Sequence, residues 1–544
     1  MNLIRNINYN HGFISEIIKP AIERFLSMDS PASKARNSAS AQSNGLTVVG
    51  SGPTAAATVR ALEKEITKNT DKYIPLTIIS PNGAICGGEA FGPAGVTVKG
   101  LLCNMPASSM SVDENPHDFV NWLTEKGILL SQKPNQYYAL RVDYGNYLSE
   151  RMKESLSRMR RRGFIVRIVR ASATAIRAHN DEVSIVLDNG DVVTSRSTIL
   201  CMGGLESTLF NHDQELLNSG RLIKHAYPFE QFSTIPSNAS ILIIGSSLTQ
   251  IDVNSSLDQF NHRGRRFATS RNGIFPSIRR AYDPHCKPNM LSREGIDREF
   301  ALWGELTLDI VRTLWAADCR KFGVTENEIN FCEAVQWSNQ AELVTRLRRE
   351  LQRVTVPDRR FSLLRAVCDD LPYIWDKLST DERSKARKII SAFNSAAFPC
   401  PPENGEKLLK WLTSGILSVH GIRPKVSLTK SGVNITYSNG YSHNVDYVIN
   451  ASGLSYDIED SDDPLICQMR SEGFIEAHPD GGIRVDFNTG EVISEKVIPG
   501  CIYVAGPLTK GTHLYTNSVE QNKRFATSAV QNILDHSIIA RKSA

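Results

Sequence analysis

Backbone amides that can seat a phosphate are the first chemistry visible in this chain. In Leu46-Thr-Val-Val-Gly50-Ser-Gly52-Pro53-Thr54-Ala55 a short apolar run meets two glycines and then three consecutive alanines, Ala55 to Ala57. A helix start presents unpaired N–H groups and the positive end of the macrodipole, so it favours an anion. Gly50 permits the tight turn, Gly52 lets the backbone approach a pyrophosphate, and Ala55 keeps the helix close to the sheet. The expected second strand, Leu76 to Ile79, ends at Ser80, where dinucleotide folds commonly place an acid for the ribose hydroxyls. Ribose contacts must therefore be weaker or come from elsewhere.

A second stretch, Ile241-Leu-Ile-Ile-Gly245-Ser-Ser247-Leu-Thr249, repeats the order strand, loop, helix. Ser247 stands where the second glycine belongs; its Cβ narrows the approach to a pyrophosphate, while its hydroxyl can donate a hydrogen bond in return. Gly245, Ser247 and Thr249 are the candidate contacts. A second strand, Arg266 to Ser270, is followed by Arg271 and Gly273, with Arg279 and Arg280 nearby. A guanidinium at that strand end suits an adenosine 2′-phosphate, so Ser270 and Arg271 predict NADPH in preference to NADH.

Each loop is followed far downstream by one further pattern. Val183 leads to an Asn-Gly turn at Gly190 and on to Gly203, and Val433 leads to Gly440 and Gly453, with spacings of 7 and 13 residues in both copies. The repeat predicts an α/β fold of two dinucleotide-binding, Rossmann-like domains, each carrying an Asn-Gly hairpin and a strand that ends on glycine.

These elements divide the chain as follows. Residues 1–44 form an N-terminal arm and linker, with Ile14, Ile17, Ile18, Ile22, Phe25 and Leu26 on one face at helical spacing and a Ser/Ala/Asn-rich stretch after it. A first dinucleotide domain occupies 45–235, and the second begins over 236–298. Residues 299–415 change to helical periodicity, as in Leu302, Leu306, Ile310 and Leu314, and read as an insertion able to cover a substrate. The second domain resumes over 416–453, and 454–544 returns to the first.

At 544 residues, 41% hydrophobic and 22% charged, the composition is that of a globular enzyme, and a net charge of +4 argues against nucleic acid as a partner. The ten cysteines contain no C-x-x-C pair, which removes the redox disulfide of the disulfide reductases and the usual zinc spacings. Scattered thiols suggest a reducing compartment, and no apolar run suits a membrane span or signal peptide, so the cytoplasm is expected. No metal site, Walker loop or Gly-x-Ser-x-Gly elbow is present. His225 and His513 read as structural or surface histidines. A small-molecule substrate is expected, and a homo-oligomer is left open.

The segment Gly87-Gly-Glu-Ala-Phe-Gly92, then Leu101-Leu-Cys-Asn104-Met105-Pro106-Ala107, then Asp118-Phe-Val-Asn-Trp122-Leu123, then Arg141 with Tyr144-Gly145-Asn-Tyr147-Leu148, resembles the FAD/NAD(P)-binding family of bacterial flavoproteins. That family is similar in plan to the flavin-dependent monooxygenases that hydroxylate lysine or ornithine side chains. The resemblance covers about Gly45 to Arg280 and Tyr447 to Ala526. It implies that Gly50, Gly52, Pro53, Thr54 and Ala55 hold the FAD pyrophosphate, and that Asn104, Met105 and Pro106 lie along the isoalloxazine ring. Arg141 and Tyr144 would support that loop, and Gly506 and Pro507 would precede a helix whose N-terminus faces the flavin pyrimidine. Trp122 and Tyr147 read as core. By the same resemblance NADPH reduces FAD, and a C4a-peroxyflavin then hydroxylates a substrate. The alternatives are a flavin dehydrogenase without oxygen insertion and a flavin-binding sensor. No side chain is singled out as catalytic.

Overall fold

A computed structural model describes residues 45–543 apart from 69–72, 84, 97, 130–132, 180–181, 270–272, 331, 333–334, 336 and 423. The expected arm over 1–44 lies outside the described residues.

The first sheet is built on β1 (Leu46–Val49), a four-residue run buried along its whole length, as a parallel strand covered on both faces must be. The helix α1 (Pro53–Lys68) follows it, then β2 (Leu76–Ile79), α2 (Arg141–Arg161) and β3 (Val166–Val169). An antiparallel meander comes next, β4 (Ala173–His179), β5 (Glu182–Leu187) and β6 (Val192–Ser195). Its central strand alternates, with Val183, Ile185 and Leu187 buried, which is the pattern of a half-covered ladder. β7 (Ser197–Leu200) returns to the parallel sheet.

The second sheet repeats this plan. β8 (Leu222–Ile223) precedes β9 (Ile241–Ile244), α3 (Leu248–Gln259) and β10 (Arg266–Thr269). β11 (Leu417–His420) follows, then a second meander, β12 (Lys425–Leu428), β13 (Val433–Thr436) and β14 (Ser442–Val445), and then β15 (Tyr447–Asn450). β16 (Ile502–Val504) and α4 (Val519–Ser543) come last.

The strand orders are β3-β2-β1-β7-β16 and β11-β10-β9-β15-β8, all parallel. Position for position the two sheets match, so the repeat read from glycine spacing is a repeat of architecture. The chain is an α/β protein with two Rossmann-like sheets. In the first, α1 buries Ala55, Ala56, Val59, Leu62 and Ile66 in a core shared with Ala526, Ala529, Val530 and Ile533 of α4.

Between β10 and β11 the regular elements described are helices, from Arg293–Trp303 through Leu308–Lys321 and Arg359–Val367 to Pro402–Thr413. The first of these helices starts at Arg293, ahead of Glu299. The apolar ladder from Leu302 to Leu314 is also not one helix. Gly304 turns left-handed at φ +74° and ends the first, and Thr307 caps the next through Ile310 N–H at 3.2 Å. Among the described residues no helix is long and apolar enough to cross a membrane.

Candidate functional site

Gly50 sits at φ +118°, and a Cβ there would lie 2.3 Å from the Cys201 carbonyl oxygen, so β7 requires glycine at the turn. Gly52 differs. A Cβ added there would find only Gly88 Cα, at 3.8 Å, so the start of α1 is walled by bare backbone from two glycines. Gly506, at φ +93°, rests on the same turn, and its Cβ would come 2.8 Å from Thr54 Oγ1. The Gly50 to Ala55 loop and the Gly506-Pro507 turn, nearly a chain length apart in sequence, are thus in contact. Amides at a helix start between two glycine walls suit a pyrophosphate, so these residues fit FAD. Ser80 Oγ is 2.8 Å from Ser51 Oγ, and this pair, with Ser80 buried, stands where an acid would meet a ribose.

At the second loop Gly245 sits at φ +134°, and its Cβ would lie 2.2 Å from the Ala451 carbonyl oxygen, the same relation that joins Gly50 to Cys201. Gly203 and Gly453 are equivalent as well, at φ +84° and +92°. Ser247 caps α3 from an extended backbone, with its side chain exposed and making no capping hydrogen bond. Thr249 is half-buried in the first turn. Ser270 and Arg271 lie outside the described residues, and β10 ends at Thr269. Arg280 pairs with Asp358 at 2.5 Å and donates to the carbonyls of Arg353 and Val356, tying its segment to the helical region.

Gln250, fully buried in the first turn of α3, has neither amide atom partnered. A buried amide without partners is costly. The sequence does not mark this residue, because nothing in its spacing separates it from a surface glutamine. A cleft of about 660 Å3 beside Ile244 is lined in part by Asp213 and Glu215, whose carboxylates oppose a phosphate.

The Asn104-Met105-Pro106 strip follows a single antiparallel bridge between Leu102 and Leu140. Arg141 holds its near end: Nε donates to Leu102 O at 3.2 Å, Nη1 to Tyr227 Oη at 2.8 Å and Nη2 to Asp252 Oδ2 at 2.5 Å. Arg279 holds the strip itself, Nη2 donating to Asn104 O at 3.1 Å and lying 3.2 Å from Met105 Sδ. Tyr144 packs edge-on to Phe91, and its buried hydroxyl reaches no partner. Trp122 and Tyr147 are buried in the aromatic cluster with Phe119.

Pro507 opens a 3-10 turn and then one helical turn, Lys510–His513, while the long helix α4 begins only at Val519. The helix expected directly after Gly506-Pro507 is therefore short. Lys510 is half-buried over the Tyr456 ring with Nζ donating to Leu514 O at 2.9 Å, and desolvation pushes its ammonium down to about 8. His513 lies 2.9 Å from both Thr509 Oγ1 and Phe487 O, and His225 lies 2.7 Å from Glu206. Both histidines have partners that the sequence did not reveal. No cluster of metal ligands occurs among the described residues.

Residues 47–205 match the family model described as FAD-NAD(P)-binding. No curated protein matches the chain. Solved structures do. The chain is similar to the L-lysine 6-monooxygenase of Pseudomonas syringae, with 14% identity and a TM-score of 0.54 over 91% of this chain and 99% of that one. It is also similar to the ornithine N-hydroxylase of Kutzneria sp. 744, in a structure with reduced FAD, NADP+ and L-ornithine, with 13% identity and a TM-score of 0.51 over 92% of this chain and 100% of that one. At these identities the likeness is one of fold, the two-domain flavoprotein fold.

Proposed function

We propose that this chain is an FAD- and NADPH-dependent oxidoreductase of the monooxygenase type, acting on a small molecule in the cytoplasm. The observation that supports the reading is the duplicated turn, Gly50 against Cys201 and Gly245 against Ala451, which suits two dinucleotide seats in one chain. The two hydroxylases named above share its fold plan and support the same reading.

Bound at the first seat, FAD supplies a hydride acceptor and a centre that activates dioxygen. The protein positions and shields. Gly50, Gly52, Pro53, Thr54 and Ala55 hold the pyrophosphate through backbone amides at the start of α1. Gly506 and Pro507 would complete that seat from the side of Thr54, and Asn104, Met105 and Pro106 would lie along the ring. Arg141, with its guanidinium on Asp252 of α3, fixes the strip relative to the second seat. There Gly245, Ser247 and Thr249 would receive the dinucleotide, and the preference for NADPH rests on the sequence at Ser270 and Arg271, which lie outside the described residues. Gly203, at the end of β7, lines the first seat.

The helical region excludes water. Trp375 Nε1 donates to Gly511 O at 2.7 Å, and Gln521 Nε2 donates to Asp369 O at 3.2 Å, clamping this region to the C-terminal segment.

Anaerobic titration with NADPH tests the reading. The purified protein should be yellow and should bleach, and on adding air it should consume oxygen and hydroxylate a substrate in preference to releasing peroxide. A folded protein that stays colourless in excess FAD would overturn it.

A further inference from the structure

Four segments distant in sequence converge on the guanidinium of Arg279. Its own segment bridges to Cys400, with Arg279 N–H donating to Cys400 O at 2.8 Å. Nη2 donates to the carbonyls of Asn104 and Pro399, and the guanidinium lies over the Phe361 ring at 5.3 Å. Tyr138 and Tyr515, from two further segments, interact with it electrostatically. The side chain is 4% exposed and its buried Nε has no hydrogen-bond partner.

Three arginines are buried among the described residues. Arg141 has Asp252 at 2.5 Å and Arg266 has Asp258 at 2.8 Å, whereas Arg279 makes no ion pair among the described residues. The nearby Arg365 brings another positive charge, and its own carboxylates, Asp369 and Glu520, lie 3.5 and 3.3 Å from it. The hydroxyls of Tyr138 and Tyr515 are neutral, both pushed up to about 12 chiefly by burial. A buried cation without a counter-charge carries a large desolvation cost, and the planar guanidinium fork matches a carboxylate. Arg279 also touches the Asn104-Met105 strip, so a ligand seated on it lies beside that strip.

We propose that Arg279 is a specificity-determining residue that receives a carboxylate of the small-molecule substrate; this rests on the function proposed above. The observation behind it is the juxtaposition of an unpaired buried guanidinium with the Asn104-Met105 strip.

The test is a titration of the flavin-loaded protein with benzoate, succinate and L-ornithine against benzamide and succinamide, read by thermal unfolding midpoint and by flavin difference spectrum. At least one carboxylate should bind ten-fold or more tightly than its amide. R279M should lose at least ten-fold of that affinity, and R279K should keep part of it, because the charge stays while the fork is lost. NADPH affinity should be unchanged in both. Four outcomes overturn the proposal: no carboxylate binds, acids and amides bind equally, R279M binds as the wild type does, or NADPH affinity falls in place of carboxylate affinity, which would assign Arg279 to a phosphate. Where R279M fails to fold, R279K carries the comparison, and a carboxylate affinity equal to the wild type in R279K overturns the proposal. A colourless protein that NADPH does not bleach would remove the proposed function, while the carboxylate effect is still read from the unfolding midpoint.

Discussion

Arg141 Nη2 and Asp252 Oδ2 meet at 2.5 Å with both side chains buried, and this pair joins α2 of the first half to α3 behind the second glycine loop. Burial alone would lower the guanidinium, but the carboxylate beside it more than offsets that, and Arg141 ends above its ordinary value. Since Arg141 also holds Leu102 O, a displacement of α3 is felt at Asn104.

Removing one partner should therefore cost more than removing both. Asp252→Ala leaves a buried guanidinium without its charge partner, and the expected loss is about 3–5 kcal/mol. The double change Arg141→Met with Asp252→Leu should lose less. Urea midpoints of the two variants against the wild type check this, and equal losses would mean the pair contributes no coupling.

The two glycines of the first loop should separate fold from binding. At Gly50→Ala the new Cβ meets the Cys201 carbonyl oxygen at 2.3 Å, so stability should drop by several degrees in melting temperature. At Gly52→Ala the nearest atom is 3.8 Å away, so melting should stay close to wild type while flavin content after purification falls. A Gly52→Ala protein that retains full flavin would show that the pyrophosphate does not sit there.

Acid should weaken the C-terminal segment through His513, which burial pushes down to about 4. The unfolded chain takes up this proton near its ordinary pKa, about 6.5, before the folded one does. Stability is then fully present above pH 6.5 and is lost as pH falls from there toward 4. For a shift of this size the loss is about 3 kcal/mol. His513→Gln should flatten the denaturation midpoint across that window, and an unchanged slope would place the acid sensitivity elsewhere.

Asp318 organises the start of the helical region. Its buried carboxylate accepts the N–H groups of Asn289, Met290 and Leu291 at 2.8 to 3.0 Å. Asp318→Ala removes the acceptor from all three and leaves the buried Leu291 N–H unpaired, at about 1–3 kcal/mol for that group. Protease cleavage near Met290 should become faster in this variant than in Asp318→Asn, which keeps one acceptor oxygen.

The sequence shows the glycine loops and Asn-Gly hairpins because few residue types tolerate the backbone they need. Gly190 and Gly440 sit at φ +86° and +84° in matching turns, and Gly50 and Gly245 are equally constrained. Strand order is not legible. β8 has two residues and β16 three, too short for any period, and only pairing with β15 and β7 places them. The Leu302 to Leu314 ladder misleads because its four-residue spacing runs across Gly304 and Thr307, a stop and a start both present in the sequence; Leu302 is 73% exposed. Gln250 and Arg279 are hidden for another reason. A buried polar group looks ordinary until its surroundings are known.

β16 completes the first sheet against β7, yet it is encoded after the whole second sheet and the helical region. Synthesis from the amino end therefore delivers the missing flank last. Until Ile502 leaves the ribosome, β7 keeps an open row of amides and carbonyls that invites wrong pairing, and Thr54 waits for Gly506. A transcript truncated before that codon should therefore yield a product whose first sheet stays open at β7 and which is prone to clump.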